Sequence, residues 1–398
     1  MSVTFPRGFR ASGVAAGMKP SGQPDLGLLV ADEPCAAAGL FTTNAFAAHP
    51  VRISRERLAG GRALGVLVNS GQANAGTGPE GEADALAATA AVARLLEVEP
   101  EAVLCCSTGV IGERIHLEEL TAALPALVRT LSPEGCDAFA RAILTTDTVD
   151  KQAAAERGGY RVGGCAKGVG MIAPNLATML AFVTTDAPVA PGALRELAVQ
   201  TLAEPFGALT VDGCTSTNDT VLLLASGVAE GDPVVPGTRP WAELAAAVAD
   251  VAESLVTQLA RDAEGATHVL RISVEGAEDD EQARRVAKAV ADSPLVKAAA
   301  AGGDPNPGRV LQAVGASGAR FDPSAVRAWI GRTLVIEAGR VVPAYFDGSG
   351  EVRRAARAAM AEPEIEIRIA LGSGPGRGRA IGCDLTCEYV RINGEYTT

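Results

Sequence analysis

Short apolar runs alternate along the chain with longer segments of helical periodicity. The apolar runs, bounded by glycine, proline or polar residues, predict strands at 26–30, 64–68, 103–106, 179–183, 221–224, 269–274, 334–336 and 365–370. The segments rich in Ala, Leu, Glu and Arg predict helices at 82–96, 117–130, 191–202, 241–259, 281–300 and 351–360. Because the strands come in groups separated by long helices, the pattern indicates a mixed α/β fold without strict alternation.

Two stretches rich in glycine and proline predict loops. Residues 225–240 read ASGVAEGDPVVPGTRP, and residues 301–308 read AGGDPNPG. The 398 residues are too many for one small core and suit two compact domains. We therefore expect the domain organisation to change near these loops.

Composition and charge narrow the class of protein. Hydrophobic residues make up 47% of the chain and charged residues 21%, as in ordinary globular proteins. No apolar run reaches the ~18 residues of a membrane span, and the N-terminus does not read as a secretory signal, so we expect a cytoplasmic protein without a membrane partner. The net charge of −12 argues against a nucleic-acid partner, although a pocket for a small acidic substrate needs only one or two cations.

Cysteine and histidine usage limits the possible chemistry. The eight cysteines are irregularly spaced, without a Cys-x-x-Cys pair, and the chain has three histidines. We therefore expect no metal site, and we expect the cysteines to be free and mostly buried thiols. With so few histidines, any nucleophile must rely on another base.

The segment 163–186, GGCAKGVGMIAPNLATMLAFVTTD, carries the main candidate chemistry. It places Thr178 at the start of a predicted strand, after the small residue Ala177 and a loop. The Thr178 hydroxyl can attack the Ala177 carbonyl to give an ester that water hydrolyses, which cuts the chain. The freed α-amine of Thr178, whose ordinary pKa is near ~8, can then serve as the base for its own hydroxyl. The same residues also suit an ordinary junction between a loop and a strand.

Lys167 precedes the candidate nucleophile in a glycine-rich stretch. The chain has only five lysines against thirty arginines, so a lysine at this place is suggestive. Lys167 can act as a base or bind a substrate carboxylate, or it can be a solvent-facing residue of a simple turn. A phosphate loop is not expected, because no Ser or Thr follows Lys167.

Three polar clusters follow predicted strands. They are NSGQAN (69–74), CSTGVIG (106–112) and TSTND (215–219). The second can aim a hydroxyl and a backbone N–H at a developing oxyanion. Each of the three also suits a turn that satisfies its own backbone groups.

Taken together, these residues resemble the ornithine acetyltransferase (ArgJ) family, the bifunctional glutamate N-acetyltransferases of arginine biosynthesis. The resemblance is collinear over nearly the whole chain. It rests on GFRASG (8–13), GLFTTN (39–44), NSGQANAGTG (69–78), CSTGVIG (106–112), TTDT (145–148), AKGVGMIAPNLATML (166–180), VDGCTSTND (211–219) and GCDLTCEYVRING (382–394). The run at 166–180 is highly specific.

The resemblance implies an αββα-type sandwich of the N-terminal-nucleophile kind, with a second α/β domain at roughly 275–398. It implies an α chain of residues 1–177 and a β chain of residues 178–398, assembled as an α2β2 heterotetramer. Thr178 would take an acetyl group from N2-acetylornithine and pass it to glutamate in a ping-pong reaction. No cofactor is implied, although acetyl-CoA is a possible second acetyl donor.

The resemblance also implies roles for single residues. Thr108 and Gly109 would form the oxyanion hole. The substrate contacts would be Thr145, Lys167, Thr178, Glu264, Asn393 and Thr398. Glu264 is a natural partner for the side-chain ammonium of ornithine. From the residues alone, Glu264 would be a loop carboxylate and 393–398 a frayed tail.

Some positions depart from the family pattern. They include Ala263 and His268 in DAEGATH, and Cys214 in VDGCTSTND. Because they lie where recognition of the substrate side chain is expected, a paralogue that acts on another N-acylated amino acid stays open. Two further alternatives are an amidase with an N-terminal nucleophile, in which water takes the acyl group, and an uncleaved protein that only binds an acylated amino acid.

Overall fold

The computed structural model describes residues 2–173 and 179–395. These residues form two compact units, one of residues 2–173, 179–207 and 215–259, the other of residues 208–214 and 260–395. Both units combine helices and strands, so the predicted mixed α/β class is confirmed. Among the described residues, no helix is both long and apolar enough to span a membrane.

The first unit is built on one sheet, which has eight strands within the described part of the chain. They are β1 (Phe9–Val14), β2 (Leu26–Phe41), β3 (Arg62–Gln72), β4 (Val103–Val110), β5 (Lys151–Arg157), β6 (Tyr160–Lys167), β7 (Leu180–Thr185) and β8 (Thr220–Ala225). Their order is β4-β3-β2-β8-β7-β6-β5, and β1 also pairs with β2. The pairs β3–β4 and β7–β8 are parallel, and the other pairs are antiparallel.

This sheet folds back on itself along β2. The N-terminal part of β2 pairs with β1 and β3, its C-terminal part pairs with β8, and the register of the β2–β3 pair shifts between Val30 and Cys35. Five strand positions separate β4 from β6, which is about 24 Å in a flat sheet. Nevertheless, Lys167 Nζ at the end of β6 lies 3.3 Å from Thr108 Oγ1 near the end of β4. The two halves therefore face each other, as in the predicted sandwich.

Apolar side chains fill the space between the two halves and cover their outer sides. Leu29 and Val66 from one half share a buried cluster with Phe182 and Leu222 from the other. Alternate residues such as Leu28 point to the opposite side and pack with helices α2 (Gly78–Leu96) and α3 (Leu117–Arg129). The helices that begin in the first unit are α1 (His49–Arg57), α2 (Gly78–Leu96), α3 (Leu117–Arg129), α4 (Cys136–Ala142), α5 (Pro191–Gly207) and α6 (Arg239–Arg261).

The second unit has its own sheet, six-stranded within the described residues. Its strands are β9 (Val269–Ala277), β10 (Arg327–Ile330), β11 (Thr333–Glu337), β12 (Arg340–Val341), β13 (Glu364–Ala370) and β14 (Gly376–Cys383), in the order β12-β11-β10-β13-β9-β14. The helices are α7 (Asp280–Asp292), α8 (Pro294–Ala301), α9 (Pro307–Ala316), α10 (Glu351–Ala359) and α11 (Cys387–Glu395). Ile272 and Val274 of β9 pack with Val286 and Val290 of α7 in its core.

All predicted strands and helices are present, but one predicted helix is divided into two. The single helix predicted at 281–300 is two helices, because Ser293 and Pro294 interrupt it. Pro294 has no N–H to continue α7, and the Ser293 hydroxyl caps the next helix by accepting from Val296 N. The predicted loops at 225–240 and 301–308 do separate regular elements.

Candidate active site

Lys167 is the last residue of β6, and its side chain is buried. Nζ donates to Thr145 Oγ1 at 2.7 Å and to Thr108 Oγ1 at 3.3 Å. The interpretation of Lys167 as a solvent-facing turn residue is therefore wrong. Three predicted site residues instead meet at one place, between β4, β6 and the segment that follows α4.

Thr108 and Gly109 lie near the end of β4, and Gly109 has a backbone conformation that favours glycine. Gly109 has a φ of +133°, and a Cβ added to it would lie 2.1 Å from the carbonyl oxygen of Gly71 on β3. The close approach of the two strands keeps the Thr108 hydroxyl beside Lys167. A hydroxyl and a backbone N–H at such a position are the donors that an oxyanion requires.

Asp147 anchors the polar groups around Lys167. Its Oδ1 accepts from Lys151 Nζ at 2.6 Å and from the backbone N–H of Gly168 at 2.7 Å. Its Oδ2 accepts from the N–H of Thr145 at 3.1 Å and lies 3.8 Å from Lys167 Nζ. The side chains of Asp147 and Lys151 are fully buried. Sequence reasoning assigned neither residue to the site, although the TTDT run (145–148) that contains Asp147 was available as a signal.

The charge state of Asp147 follows from these neighbours. Burial alone would raise the pKa of Asp147, but the charges of Lys167 and Lys151, with the hydrogen bonds from Lys151 and Gly168, hold it at about 2. Asp147 is therefore a carboxylate at any ordinary pH. It serves as the shared counterion of two buried lysines.

Lys19 is a third lysine that interacts electrostatically with Lys167 and Asp147. Its Nζ donates to the carbonyl oxygens of Leu144, at 2.6 Å, and Pro24, at 2.9 Å. Burial lowers the pKa of Lys19 to about 8, against the opposing charge of Asp25 and with a further lowering effect of Lys167. With Asp147 and Asp25 beside them, the three lysines leave a modest excess of positive charge, which suits a substrate with a carboxylate.

Asn218 connects the two halves of the first unit. Its Nδ2 donates to the carbonyl oxygens of Ala73, at 2.7 Å, and Ser107, at 2.8 Å. The TSTND cluster (215–219) is therefore not only a turn that satisfies its own backbone. It fixes the start of β8 next to the Thr108 position.

Asp219 is the second buried carboxyl at this end of the sheet. Its Oδ1 accepts from the backbone N–H of Met179 at 3.2 Å, whereas its Oδ2 has no hydrogen-bond partner among the residues that the structure describes. The carbonyl oxygen of Met179 accepts from the N–H of Thr220 at 3.1 Å. Burial raises the pKa of Asp219 well above its ordinary value, despite the lowering effects of the Met179 N–H and the Lys167 charge.

Three predicted site residues lie outside the described residues. They are Ala177 and Thr178, the predicted cleavage site and nucleophile, and Thr398, a predicted substrate contact. The described residues that flank the cleavage site are Ala173 and Met179, and both are buried. The junction is therefore bounded by buried residues on both sides.

The second unit brings together Glu264 and Asn393. Asn393 Nδ2 donates to Glu264 Oε2 at 2.8 Å. Asn393 belongs to helix α11, so the interpretation of its segment as a frayed tail is wrong up to residue 395. The Thr386 hydroxyl donates to the carbonyl oxygen of Gly265 at 2.6 Å and holds the Glu264 segment to the start of α11.

The departures from the family pattern have separate environments in this unit. Asp384 Oδ2 lies 3.0 Å from His268 Nδ1, and Asp384 Oδ1 accepts from the backbone N–H of Thr267 at 2.8 Å. His268 therefore supports the segment that carries Glu264. Ala263 is buried, and Cys214 is exposed, with its N–H donating to Asp212 Oδ1 at 3.0 Å.

All eight cysteines are free, and five of them are buried, as the sequence predicted. Burial raises the pKa of the Cys105, Cys106 and Cys165 thiols, which keeps them protonated and unreactive. Within residues 2–173 and 179–395, no cluster of three or more His, Cys, Asp or Glu residues could hold a metal ion. The polar side chains that meet around Lys167 are those of lysine, threonine and aspartate residues.

The chain is similar to known proteins over nearly its whole length. Residues 10–398 match the model of the ArgJ family. The arginine biosynthesis bifunctional protein ArgJ of Parasynechococcus marenigrum is 48% identical over 402 residues, covering 100% of this chain and 95% of its own. The protein of the same name from Symbiobacterium thermophilum is 46% identical, covering 100% of this chain and 98% of its own.

A solved structure is also similar. The crystal structure of the arginine biosynthesis bifunctional protein ArgJ of Bacillus halodurans is 38% identical and superposes with a TM-score of 0.51. It covers 54% of this chain and 98% of its own. The similarity to the curated relatives, in contrast, extends over both compact units.

Proposed function

The chain belongs to the ArgJ family, and from this premise we propose that it cuts itself between Ala177 and Thr178 and carries acetyl groups on Thr178. It is a bifunctional enzyme of arginine biosynthesis, in line with its relatives. N2-acetylornithine gives its acetyl group to the Thr178 hydroxyl and leaves as ornithine. Glutamate then enters and takes the acetyl group, which makes the reaction ping-pong.

The proposal rests mainly on one observation: the buried Lys167 side chain donates hydrogen bonds to the hydroxyls of Thr108 and Thr145. Acyl transfer puts negative charge on a carbonyl oxygen, and donors fixed before the reaction stabilise that charge most effectively. Gly109 follows Thr108 and is held close to β3, and we assign its backbone N–H to the same oxyanion. The ammonium of Lys167 can meet either the oxyanion or the substrate carboxylate.

The sheet topology supports self-cleavage without loss of the fold. A cut before Thr178 would assign β1–β6 to one polypeptide and β7–β14 to the other. Because β7 pairs with β6 and β8 pairs with β2, backbone hydrogen bonds across the sheet would hold the two polypeptides together. The solved Bacillus halodurans chain corresponds to 54% of this chain, close to the share that residues 178–398 make up.

Recognition of the donor is assigned to Glu264 and Asn393. A carboxylate held by an amide suits the side-chain ammonium of ornithine, and Thr145 and Lys167 would contact the rest of the substrate, together with Thr398. We further propose that acetyl-CoA serves as a second acetyl donor, which the word bifunctional in the names of the relatives supports. The enzyme would act in the cytoplasm as an α2β2 assembly.

Intact-mass spectrometry tests the proposal directly. The purified protein should contain two polypeptides, the second beginning at Thr178. Incubation with N2-acetylornithine alone should add one acetyl group to that second polypeptide, and glutamate should remove it. A single uncut chain, or a second polypeptide that never gains an acetyl group, would contradict the proposal.

Two variants and one assay separate the remaining alternatives. Thr178→Ala should abolish both cleavage and transfer, because one hydroxyl serves both. Glu264→Ala should spare cleavage and raise the KM for N2-acetylornithine, and an unchanged KM would favour a paralogue with another substrate. Ornithine release that proceeds at the same rate without glutamate would instead indicate an amidase.

A further inference from the structure

Lys19 joins two segments that are far apart in the sequence. Its Nζ donates to the carbonyl oxygen of Pro24 at 2.9 Å, within its own loop, and to the carbonyl oxygen of Leu144 at 2.6 Å. The chain has five lysines, and three of them, Lys19, Lys151 and Lys167, lie around the candidate active site. The function proposed above gives no role to Lys19.

A buried carboxylate fixes the loop that carries Lys19. This loop connects β1 to β2, and the Asp25 side chain accepts from the backbone N–H groups of Ala16 at 2.6 Å, Met18 at 2.7 Å and Lys19 at 3.0 Å. Asp25 is fully buried, and hydrogen bonds shielded from water are electrostatically stronger than exposed ones. The Lys19 side chain therefore extends from a backbone that is held at three points.

The same loop lies at the end of the sheet that carries Thr108. Leu26, the first residue of β2, pairs with Asn69 of β3, and Asn69 pairs with Ser107 of β4. Thr108 is the next residue of β4. The ammonium of Lys19 is thus anchored in the same half of the sheet as the Thr108 hydroxyl.

Thr145 depends on contacts of this kind, because residues 143–150 connect α4 to β5 without a helix or a strand. The Leu144 carbonyl accepts from Lys19, and the N–H of Thr145 donates to Asp147 Oδ2 at 3.1 Å. This carbonyl and this N–H belong to one peptide group. Two charged side chains, one cationic and one anionic, therefore hold the two polar ends of the peptide group that precedes the Thr145 side chain.

We propose that Lys19 is a positioning residue, which fixes the peptide group between Leu144 and Thr145 and so holds the Thr145 hydroxyl in place for Lys167 and the substrate. The Thr145 hydroxyl accepts from Lys167 Nζ at 2.7 Å. Without Lys19 the peptide group keeps only its bond to Asp147, and it can rotate about that bond. Small displacements of groups that orient a substrate lower the rate of a reaction strongly. This inference rests on the proposed function, which includes the substrate contact of Thr145.

The first test is the Lys19→Met variant, which removes the ammonium and keeps a side chain of similar shape. The kcat/KM for acetyl transfer from N2-acetylornithine to glutamate should fall about tenfold, as expected for the loss of a hydrogen bond to a charged group. Intact-mass spectrometry gives the fraction of molecules cut into two polypeptides, and only this fraction counts as enzyme. An unchanged kcat/KM would overturn the inference.

A double-mutant cycle with Thr145→Ala separates positioning from a general structural effect. If Lys19 acts through the Thr145 hydroxyl, its loss matters little once that hydroxyl is absent. The double variant should therefore lie within about twofold of Thr145→Ala alone. A further tenfold loss in the double variant would overturn the positioning role and leave the proposed function intact.

The matched control is Arg57→Met. Arg57 Nη1 donates to the carbonyl oxygen of Val103 at 2.6 Å, and this bond is partly buried, like that of Lys19 to Leu144. Val103 begins β4, five residues or roughly 17 Å before Thr108. The variant should lower stability in urea and leave kcat/KM unchanged. A tenfold loss of kcat/KM here would attribute the Lys19 effect to any lost bond of this kind.

If Lys19→Met does not fold, Lys19→Gln takes its place in the cycle. The neutral amide keeps a donor for one carbonyl and lacks the charge, so its loss of kcat/KM should be smaller and should again disappear beside Thr145→Ala. A loss that persists beside Thr145→Ala would overturn the inference. A wild-type enzyme that transfers no acetyl group would contradict the proposed function instead, so the two failures are distinguishable.

Discussion

Asp147 and Asp219 are two buried carboxyls at the same end of one folded sheet, and their environments are opposite. Asp147 is surrounded by two lysines and two backbone N–H groups, which hold its pKa at about 2. Asp219 accepts one backbone N–H, its other oxygen has no partner within residues 2–173 and 179–395, and burial raises its pKa. The identity of the residue therefore does not set its charge. The groups packed around it do.

The two environments also differ in how far they reach along the chain. Lys151 begins β5 and Gly168 directly follows β6, and these are the first two strands after Asp147 in the sequence. The two strands form an antiparallel pair. Asp219 depends on Met179, forty residues away, through the parallel pair β7–β8. Asp147 is thus fixed within one local hairpin, whereas Asp219 is fixed only when β8 docks beside the strand that follows Thr178.

The largest expected effect is that of Asp147→Ala on stability. Removing the shared counterion leaves two buried lysines without it, which costs about 3–5 kcal/mol in similar cases. Asp219→Ala removes one hydrogen bond and a group that is costly to bury, so its loss should be about 1 kcal/mol. Urea unfolding of both variants measures the difference. Equal losses would contradict the distinction between the two carboxyls.

A large effect on activity is expected at Lys167 and not at Lys151. Both lysines lie beside Asp147, but Lys167 alone contacts Thr108. Lys167→Met should lower the kcat of acetyl transfer about 100-fold, by analogy with the loss of an oxyanion donor. Lys151→Met is the matched control, and it should destabilise the fold while keeping most of the kcat. Comparable losses of kcat would assign both lysines a purely structural role.

The pH dependence of stability should have opposite signs at the two carboxyls. Because the pKa of Asp147 is lowered from 3.8 to about 2, its contribution is complete above pH 3.8 and is lost as the pH falls through about 2. Because the pKa of Asp219 is raised from 3.8, its presence destabilises the fold increasingly as the pH rises above 3.8.

Asp219→Asn should therefore approach the stability of the wild type in acid and exceed it near pH 7, because burial raises the pKa of Asp219. Asp147→Asn should be less stable than the wild type near pH 7, and the difference should shrink in acid. Guanidinium unfolding over this pH range measures both. Parallel curves for the two variants would contradict the assigned charge states.

The smallest expected effect is on substrate binding in the second unit, where the Glu264 carboxylate accepts from the neutral side-chain amide of Asn393. Asn393→Ala removes one hydrogen bond to Glu264, worth about 1 kcal/mol, so the KM for N2-acetylornithine should rise about fivefold with little change in kcat. Arg391→Ala is the control on the same helix, since Arg391 pairs with the exposed Glu388 and Glu395. Equal changes in KM would indicate a general disturbance of α11.

The sequence determined most of the regular elements, because their signals are local. Period-two and helical patterns place all eight predicted strands and their neighbouring helices. Elements with mixed composition were missed, such as β14, whose sequence GRGRAIGC alternates arginine and glycine. The break at Pro294 follows from a local rule, but the apolar pattern on both sides of it concealed the boundary.

The sequence also determined which residues could carry the chemistry, through the motifs around Thr108, Lys167 and Glu264. Only the tertiary structure decided that Thr108 and Lys167 meet, because they lie on strands that are far apart in the sheet until β2 bends. It likewise decided the charges of Asp147 and Asp219. A pKa depends on the solvent and charges within a few ångströms, and chain folding, not sequence order, brings those groups together.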